Sequence, residues 1–151
     1  MIRERFSGDL KEAIKARDAP RVSTLRLIRA AVKDRDIAAR TEDNAEGVSD
    51  DEILAILAKM IKQRQESAQA YEAGGRPDLA LQERAEIGII RDYMPKQMSE
   101  REVEKAVADA IESTGASSIR DMGKVMAYLK ARHTGRLDLA RAGSAVKQAF
   151  R

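Results

Sequence analysis

The chain has 151 residues and a formal net charge of +3, with 43% hydrophobic, 35% charged and only 3% aromatic residues. This composition supplies enough apolar surface for a core, so it excludes a disordered chain, and it leaves few rings on which single-stranded bases could stack. The sequence has no cysteine and one histidine, His133, which excludes disulfides, thiolate metal sites, a cysteine nucleophile and a two-histidine metal site. Nine glycines and three prolines are too few for a protein of strands and turns, so an all-α fold is predicted.

The first part of the chain predicts four helices, because its apolar residues recur with helical spacing. Helix breaks are expected near Asp18, over the polar residues 41–48, which predict a mobile loop, and at Gly74–Gly75. A capping box at Ser49–Glu52 begins the third helix, and Pro77 begins the fourth. The apolar stripes of these helices comprise Ile2, Phe6, Leu10, Ile14, Val22, Leu25, Ile28, Val32, Ile53, Ile56, Leu57, Met60, Ile61, Ala80, Ile87 and Ile90.

Pro95 marks the predicted boundary between two domains, residues 1–94 and residues 95–151. Proline disfavours helical geometry at the residue before it and has no N–H to donate. Beyond it, capping residues such as Ser99 and Asp138 begin three shorter helices that glycines separate. The apolar stripes of these helices comprise Val103, Val107, Ala110, Ile111, Ile119, Met122, Val125, Met126, Leu129, Leu139, Ala142 or Gly143, Val146 and Phe150.

The small net charge conceals an asymmetry between the two predicted domains. Residues 1–94 hold 17 basic and 18 acidic side chains, whereas residues 95–151 hold 11 basic and 7 acidic ones. Within residues 115–151 eight basic side chains are opposed only by Asp121 and Asp138, both at predicted helix starts, where a carboxylate is favoured. A cationic helical surface attracts polyanions, and with few aromatic residues this one favours recognition of the backbone and shape of a structured RNA. The alternative is a solvated basic face without a partner.

Gly123 stands out in the segment Asp121–Met126, because a glycine inside a helix costs about 1 kcal/mol relative to alanine. That cost points to close approach of another backbone, which is either a neighbouring helix or a ligand. In the second case Lys124 would contact a phosphate group. The candidate RNA contacts are Arg120, Gly123, Lys124, Lys130, Arg132, Arg136, Arg141 and Lys147.

Glu83 and Glu86 are three residues apart on the fourth predicted helix, so both can face the same neighbour. Two carboxylates so placed could do acid–base work or hold a metal, but salt links to Lys62, Arg64 or Arg76 across the Gly–Gly turn are favoured. The sequence has no phosphate-binding glycine loop and no nucleophile elbow. We therefore predict no catalytic group, no metal and no cofactor.

The N-terminal residues lack the apolar stretch of a signal peptide, and no run approaches the roughly 18 apolar residues of a membrane span. We therefore expect a soluble, cytoplasmic protein without a membrane partner. The sequence leaves the oligomeric state open.

Several ordered motifs closely resemble the YqeY-like proteins, also called the GatB/YqeY domain family. The likeness runs from about Arg21 to Phe150 with the expected spacing. One departure is Met94, where the family usually has leucine before the proline. The matching segments are Lys62–Ser67, Gly74–Ala80, Glu83, Glu86–Ile87, Tyr93–Pro95 and Asp121–Met126. The predicted motif surface on the third and fourth helices comprises Lys62, Gln63, Arg64, Glu66, Gly75, Arg76, Glu83 and Glu86.

The resemblance implies an all-helical fold, with an N-terminal four-helix part followed by a C-terminal three-helix bundle. The C-terminal part is similar to the tail domain of the B subunit of glutamine-dependent aspartyl/glutamyl-tRNA amidotransferase, which grips the tRNA body. The resemblance also implies the family label of a carbon–nitrogen ligase with glutamine as amido donor.

These observations lead to three hypotheses. The first is a tRNA-binding or tRNA-associated accessory protein whose C-terminal helices contact tRNA or another structured RNA. The second is a protein-interaction adaptor, in which the motif surface docks an amidotransferase or aminoacyl-tRNA synthetase subunit. The third is an enzyme that supplies or assists glutamine-dependent amidation.

Overall fold

The computed structural model describes residues 1–40 and 47–151, and within these ranges every regular element is a helix, which confirms the predicted all-α class. The chain divides into two compact units, an N-terminal unit (Met1–Met94) and a C-terminal unit (Pro95–Arg151). No helix in the described ranges is long and apolar enough to cross a membrane. The α-helices are α1 (Ile2–Lys15), α2 (Ala19–Ala38), α3 (Asp50–Ala73), α4 (Pro77–Arg91), α5 (Glu100–Thr114), α6 (Met122–Arg132) and α7 (Leu139–Ala149), with a short 3-10 helix (Ile119–Asp121) before α6.

The N-terminal unit buries one face of each of its four helices in a common core. α3 and α4 pack along each other, α1 packs on α2, and both α1 and α2 contact α3. Leu25, Ile28, Ile53, Leu57 and Ile90 are completely buried. Each such side chain contributes about 1.5–3 kcal/mol of transfer free energy, so the apolar stripes predicted for α2, α3 and α4 are the main source of cohesion.

The predicted stripe of α1 is wrong at its end. Ile14 is 49% exposed, and Ala13 takes the inward position after Phe6 and Leu10. An α-helix turns once every 3.6 residues, so a third step of four residues rotates the side chain away from the core, whereas a step of three brings it back.

A bidentate ion pair joins the start of α1 to the end of α2. The Arg3 guanidinium donates to both carboxylate oxygens of Asp36, at 2.7 and 2.9 Å. Asp36 also accepts the Val48 N–H at 2.9 Å, and Arg3 donates to the Val48 carbonyl oxygen at 3.0 Å. These donors, first of all Arg3, hold the pKa of the Asp36 carboxyl below its usual value.

The same contacts place Val48 in the core, where it is only 5% exposed. The mobile loop predicted over residues 41–48 is therefore wrong at its last position, and residues 41–46 lie outside the described ranges. A single apolar residue at the end of a polar stretch has no periodicity that would reveal its burial.

Tyr93 packs into the same core. Its ring meets Phe6 edge to face, with 4.9 Å between the ring centroids, and the Arg5 guanidinium carbon lies 4.9 Å from the Tyr93 ring centroid. The Tyr93 hydroxyl donates to Asp9 Oδ2 at 2.6 Å. Burial and this hydrogen bond raise the pKa of the phenol well above its usual value.

Left-handed residues end two helices of this unit in the same way. After α3, Gly75 has φ +75°, the Arg76 N–H donates to the Tyr71 carbonyl oxygen and the Gly75 N–H donates to that of Glu72, which is a Schellman motif. After α1 the corresponding position is Arg17, with φ +55°. A non-glycine residue in this conformation costs about 1 kcal/mol or more.

In the C-terminal unit α5, α6 and α7 pack against one another pairwise. Ala110, Val125, Leu129, Ala142 and Val146 are completely buried at the centre of this bundle. The capping box predicted at the start of α5 is present, and the predicted cap of α7 accepts two backbone N–H groups. The apolar stripes predicted for these helices are confirmed in their central turns.

Two predicted core positions in the C-terminal unit are wrong, and both precede or begin a helix. Ile119 is 50% exposed because it lies in the 3-10 helix before α6, outside the register of that helix. Leu139, the first residue of α7, is 44% exposed, and Leu137 is buried in its place. Helical periodicity sets side-chain direction only after the cap, so it misplaces residues at the start.

Candidate nucleic-acid interface

The start of α6 presents Gly123 and Lys124 to solvent. Just before it, Asp121 accepts the Ser117 N–H at 2.9 Å, and this bond is the main reason that the pKa of Asp121 is lowered. A Cβ atom placed on Gly123 would meet no atom of the described residues within 4 Å. The close packing of a helix on Gly123, one of the two alternatives predicted, is therefore not found among the described residues, and the contact with a ligand stays a prediction.

Five of the predicted cationic contacts are exposed and have no ion pair within residues 1–40 and 47–151: Arg120, Lys124, Lys130, Arg132 and Lys147. Arg120 and Lys124 are four residues apart across the junction of the 3-10 helix and α6. Lys130 lies about 120° around the α6 axis from Lys124, because six residues separate them and each residue of an α-helix turns by about 100°. These charges therefore cover the outer surface of α6 and the last turn of α7, rather than converging on one point.

Arg136 is used by the bundle itself. Its Nε donates to the Lys96 carbonyl oxygen at 3.1 Å, and its Nη2 donates to Glu102 Oε2 at 3.2 Å. Its own carbonyl oxygen accepts the Met98 N–H at 2.9 Å. Arg136 therefore ties the α6–α7 connection to the first turn of α5 and to the residues before it. Sequence reasoning missed this role because the partners are 34 and 40 residues away.

Arg132 and Arg141 have weaker local partners. The Arg132 guanidinium carbon lies 4.9 Å from the centroid of the Tyr128 ring, and Arg141 Nη2 lies 4.0 Å from Glu100 Oε1, with both of those side chains exposed. An arginine stacked on a ring keeps N–H groups at its edge for a phosphate. Tyr128 was missed from the sequence, although its position four residues before Arg132 is the signal that reveals such a pair.

On α3 and α4 the predicted motif surface separates into a nearly buried ion pair and an exposed group. Arg64 Nε donates to Glu86 Oε2 at 3.1 Å, and the two side chains are only 13% and 15% exposed. Arg64 also donates to the Met60 carbonyl oxygen at 3.3 Å. The predicted salt link of Glu86 to Arg64 is therefore present, and it fastens α3 to α4.

Within residues 1–40 and 47–151 the remaining motif residues make no comparable link. Arg76 pairs with Asp78, two residues on, instead of reaching either glutamate, and Glu83 is half-buried. The exposed motif residues are Lys62, Gln63, Glu66, Gly75 and Arg76. In the described ranges no three or more His, Asp and Glu side chains are grouped so that they could hold a metal ion.

These features define a helical protein of two units, with a motif-bearing helical pair in the first and a basic three-helix bundle in the second. A family model described as "Yqey-like protein" matches residues 3–150 of the chain. The chain therefore belongs to the YqeY-like family.

The curated relatives include fungal proteins that share the name "Altered inheritance of mitochondria protein 41, mitochondrial". The one from Saccharomyces cerevisiae is 34% identical over 91 residues, which is 59% of this chain and 46% of the relative. The one from Pyrenophora tritici-repentis is 26% identical over 139 residues, 87% of this chain and 73% of the relative. The one from Vanderwaltozyma polyspora is 29% identical over 120 residues, 76% of this chain and 63% of the relative. The match thus spans about half the length of the Saccharomyces cerevisiae relative.

Proposed function

We propose that this chain binds tRNA or another structured RNA through its C-terminal unit and acts as a tRNA-associated accessory protein. The observation that carries the proposal is the charge of that unit, which contains 11 basic and 7 acidic side chains. Lys124, Lys130 and Lys147 are exposed there, and no ion pair within the described residues neutralises them. The resemblance of this unit to the tRNA-gripping tail of the amidotransferase supports the same role.

The chemistry of the C-terminal unit favours phosphate recognition over base recognition. Lysine and arginine side chains neutralise phosphates and release counterions, so affinity falls as salt rises. The aromatic residues of this unit are Tyr128 and Phe150, and the Arg132 guanidinium already stacks on the Tyr128 ring. Base stacking therefore contributes little, and contacts to the RNA backbone and shape remain. The expected affinity is micromolar or weaker.

Titration of labelled tRNA with the full chain at two ionic strengths tests the proposal. The triple replacement Lys124→Gln, Lys130→Gln and Lys147→Gln should weaken binding and reduce the slope of log K against log salt by roughly one for each lost phosphate contact. These lysines make no ion pair in the described structure, so their loss should leave the unfolding midpoint unchanged.

The matched control is a triple replacement in the N-terminal unit with the same change in net charge: Lys11→Gln, Lys33→Gln and Lys59→Gln. These lysines are also exposed, and no ion pair within the described residues holds them. The control should bind tRNA within about twofold of the unchanged chain, because only a contact to phosphate alters the slope. Absence of binding by the full chain at low salt, or an equal loss in both triples, would contradict the proposal.

A second candidate function is an adaptor that docks an amidotransferase or synthetase subunit on the motif surface. The observation in its favour is that Lys62, Gln63 and Glu66 are exposed on α3. They are therefore free to contact a partner, whereas the nearly buried Arg64–Glu86 pair holds α3 and α4 together. Pull-down of purified subunits that survives nuclease treatment and is lost on Gln63→Ala would favour this function. A pull-down that nuclease abolishes would favour the RNA-binding function.

We propose that the RNA-binding role is carried out in the cytoplasm, which is the location expected from the sequence. The names of the fungal relatives refer to mitochondria. Fractionation of cells that express the tagged full chain, with tRNA recovery from each fraction, tests the location. Recovery of the chain with RNA from an organelle fraction alone would contradict it.

A further inference from the structure

The turn between α1 and α2 carries an open groove that neither the RNA contacts nor the motif surface uses. It has a volume of about 670 Å³, and Ile14, Val22 and Leu27 form its apolar part. Ile14 and Leu27 are 49% and 46% exposed. Single exposed apolar side chains are ordinary, but these two lie in one groove beside the half-buried Val22, and their exposure to water has a free-energy cost.

The charged residues of the groove are both arginines. Arg17 and Arg26 line it, and no residue among its lining is acidic. Neither arginine has a carboxylate within ion-pair distance in the described part of the chain. The acids nearest to Arg17 in sequence, Asp18 and Glu12, are paired with Arg21 and Lys15, each at 3.6 Å. The groove therefore combines an aliphatic floor with positive charge that nothing in the described structure offsets.

The backbone of Arg17 adds a second indication. With φ +55° it occupies the left-handed position after α1 in which glycine ends α3. An arginine there destabilises the turn relative to glycine, because its Cβ lies too close to the following carbonyl oxygen. Residues held in such conformations cluster at ligand contacts, so the side chain of Arg17 is expected to serve binding rather than folding.

We propose that this groove docks an amphipathic helix of a protein partner, with acidic side chains beside the apolar face of that helix. Apolar side chains at positions i, i+4 and i+7 of the partner cover Ile14, Val22 and Leu27, and its flanking carboxylates face Arg17 and Arg26. The aliphatic floor has no ring on which a base could stack, so a protein segment fits better than RNA. The inference does not rest on the proposed RNA binding, since all five residues lie in the N-terminal unit.

A display experiment tests the charge preference without knowledge of the natural partner. Yeast cells display helical peptides that share one apolar stripe, with flanking positions randomised among Asp, Glu, Lys, Arg, Ser and Ala, and are sorted with the labelled full chain. We expect Asp and Glu to be enriched at the flanks. The best acidic peptide should lose about tenfold in affinity when its acids are replaced by Lys, because opposite charges at an interface rim become like charges.

Variants locate the binding surface. Arg17→Gly should raise the unfolding midpoint, because glycine fits the left-handed turn. The same variant should still bind the selected peptide about two- to fivefold more weakly, which is the loss expected when one exposed ion pair is removed. Loss of binding in a more stable protein cannot be attributed to misfolding. Arg26→Gln should weaken the peptide similarly, whereas Arg29→Gln, on the same helix but outside the groove lining, should leave binding unchanged.

Nuclear magnetic resonance titration of the full chain with the selected peptide should shift resonances of residues 14–27. Four results would overturn the inference: no enrichment of acidic flanks, shifts centred elsewhere, displacement of the peptide by tRNA from these residues, or a concentration-dependent dimer that Arg26→Gln abolishes. The third result would assign the groove to RNA, and the fourth would assign it to a second copy of the chain. The effect of the triple lysine replacement on tRNA binding does not alter the peptide selection, the peptide affinity or the resonance shifts. The two proposals can therefore fail independently.

Discussion

Gly123 offers a single-atom test of how a ligand approaches α6. Space for a methyl group is open at this position, so Gly123→Ala fits the described structure without a clash. The replacement should raise the free energy of unfolding by about 0.5–1 kcal/mol in urea titrations, because alanine loses less backbone entropy in a helix. Affinity for tRNA should fall in the same protein, because the methyl group would stand between the ligand and the backbone.

Gly88 provides the matched control for Gly123. It lies within α4, and a Cβ atom there also meets no atom of the described part of the chain within 4 Å. Gly88→Ala should therefore stabilise the chain to a similar extent and leave tRNA affinity unchanged. Unchanged affinity in both variants would show that Gly123 is not part of the proposed interface. It would not test Lys124, which the triple lysine replacement tests.

The Arg3–Asp36 ion pair predicts a pH dependence of stability. The pKa of Asp36 in the folded chain lies below its usual value of 3.8, so its stabilisation is present above pH 3.8 and is lost as pH falls through the folded pKa. Asp36→Asn should lower the free energy of unfolding by about 1 kcal/mol at neutral pH, a modest figure because solvent partly screens the pair.

Chemical unfolding of both proteins from pH 7 downward measures this effect. The difference between the unchanged chain and Asp36→Asn should shrink below pH 3.8, where the unfolded carboxyl becomes protonated. A difference that stays constant down to the acid limit would contradict the prediction, because it would show that the charge of Asp36 does not supply the stabilisation.

At the scale of helices, replacements of the Arg64–Glu86 pair can distinguish a structural role of Glu86 from a chemical one. Because both side chains are nearly buried, Glu86→Gln or Arg64→Met alone leaves an uncompensated charge and should cost about 2–3 kcal/mol of stability. The double variant Arg64→Met with Glu86→Leu should recover most of that loss. A double-mutant cycle by urea unfolding measures the coupling.

The same cycle separates the two roles. A structural pair predicts that the double variant keeps both its fold and its tRNA affinity. A double variant that is stable but fails in an amidation assay, where the unchanged chain succeeds, would instead give Glu86 a chemical role and support the enzyme hypothesis.

The centres of the helices could be predicted from the sequence, whereas their ends could not. In α2 and α3 the apolar period fixes which residues are buried over several turns, so Leu25, Ile28 and Leu57 were identified correctly. At helix ends the cap determines the direction of the chain, and Ile14 and Leu139 depart from the period there.

The site shows the same division between local and distant information. An excess of cations in a stretch of sequence is visible without a structure, so Lys124 and Lys130 could be selected from charge alone. The use of Arg136 by the bundle could not, since Glu102 lies 34 residues earlier and only folding brings the two together. Sequence therefore supplies the inventory of charges, and the structure shows which of them are already engaged.

At the scale of the whole molecule, the buried residues fall into two clusters, one in each unit. Leu57 and Leu129 are both completely buried, each in a different cluster. Either replacement by alanine should cost about 2–5 kcal/mol of stability. Hydrogen exchange should show the largest loss of amide protection within the unit that carries the change, and uniform loss from both replacements would contradict this prediction.

The buried phenol of Tyr93 gives the N-terminal unit its own optical label. The chain has three tyrosines and no tryptophan, so its near-ultraviolet absorbance is that of tyrosine. With its raised pKa, Tyr93 stays neutral in the folded chain as pH passes 10, the usual value at which the phenol of the unfolded chain ionises. Alkali therefore favours the unfolded state, and a slow phase in the growth of phenolate absorbance after a pH jump would time the opening of this unit without any added dye.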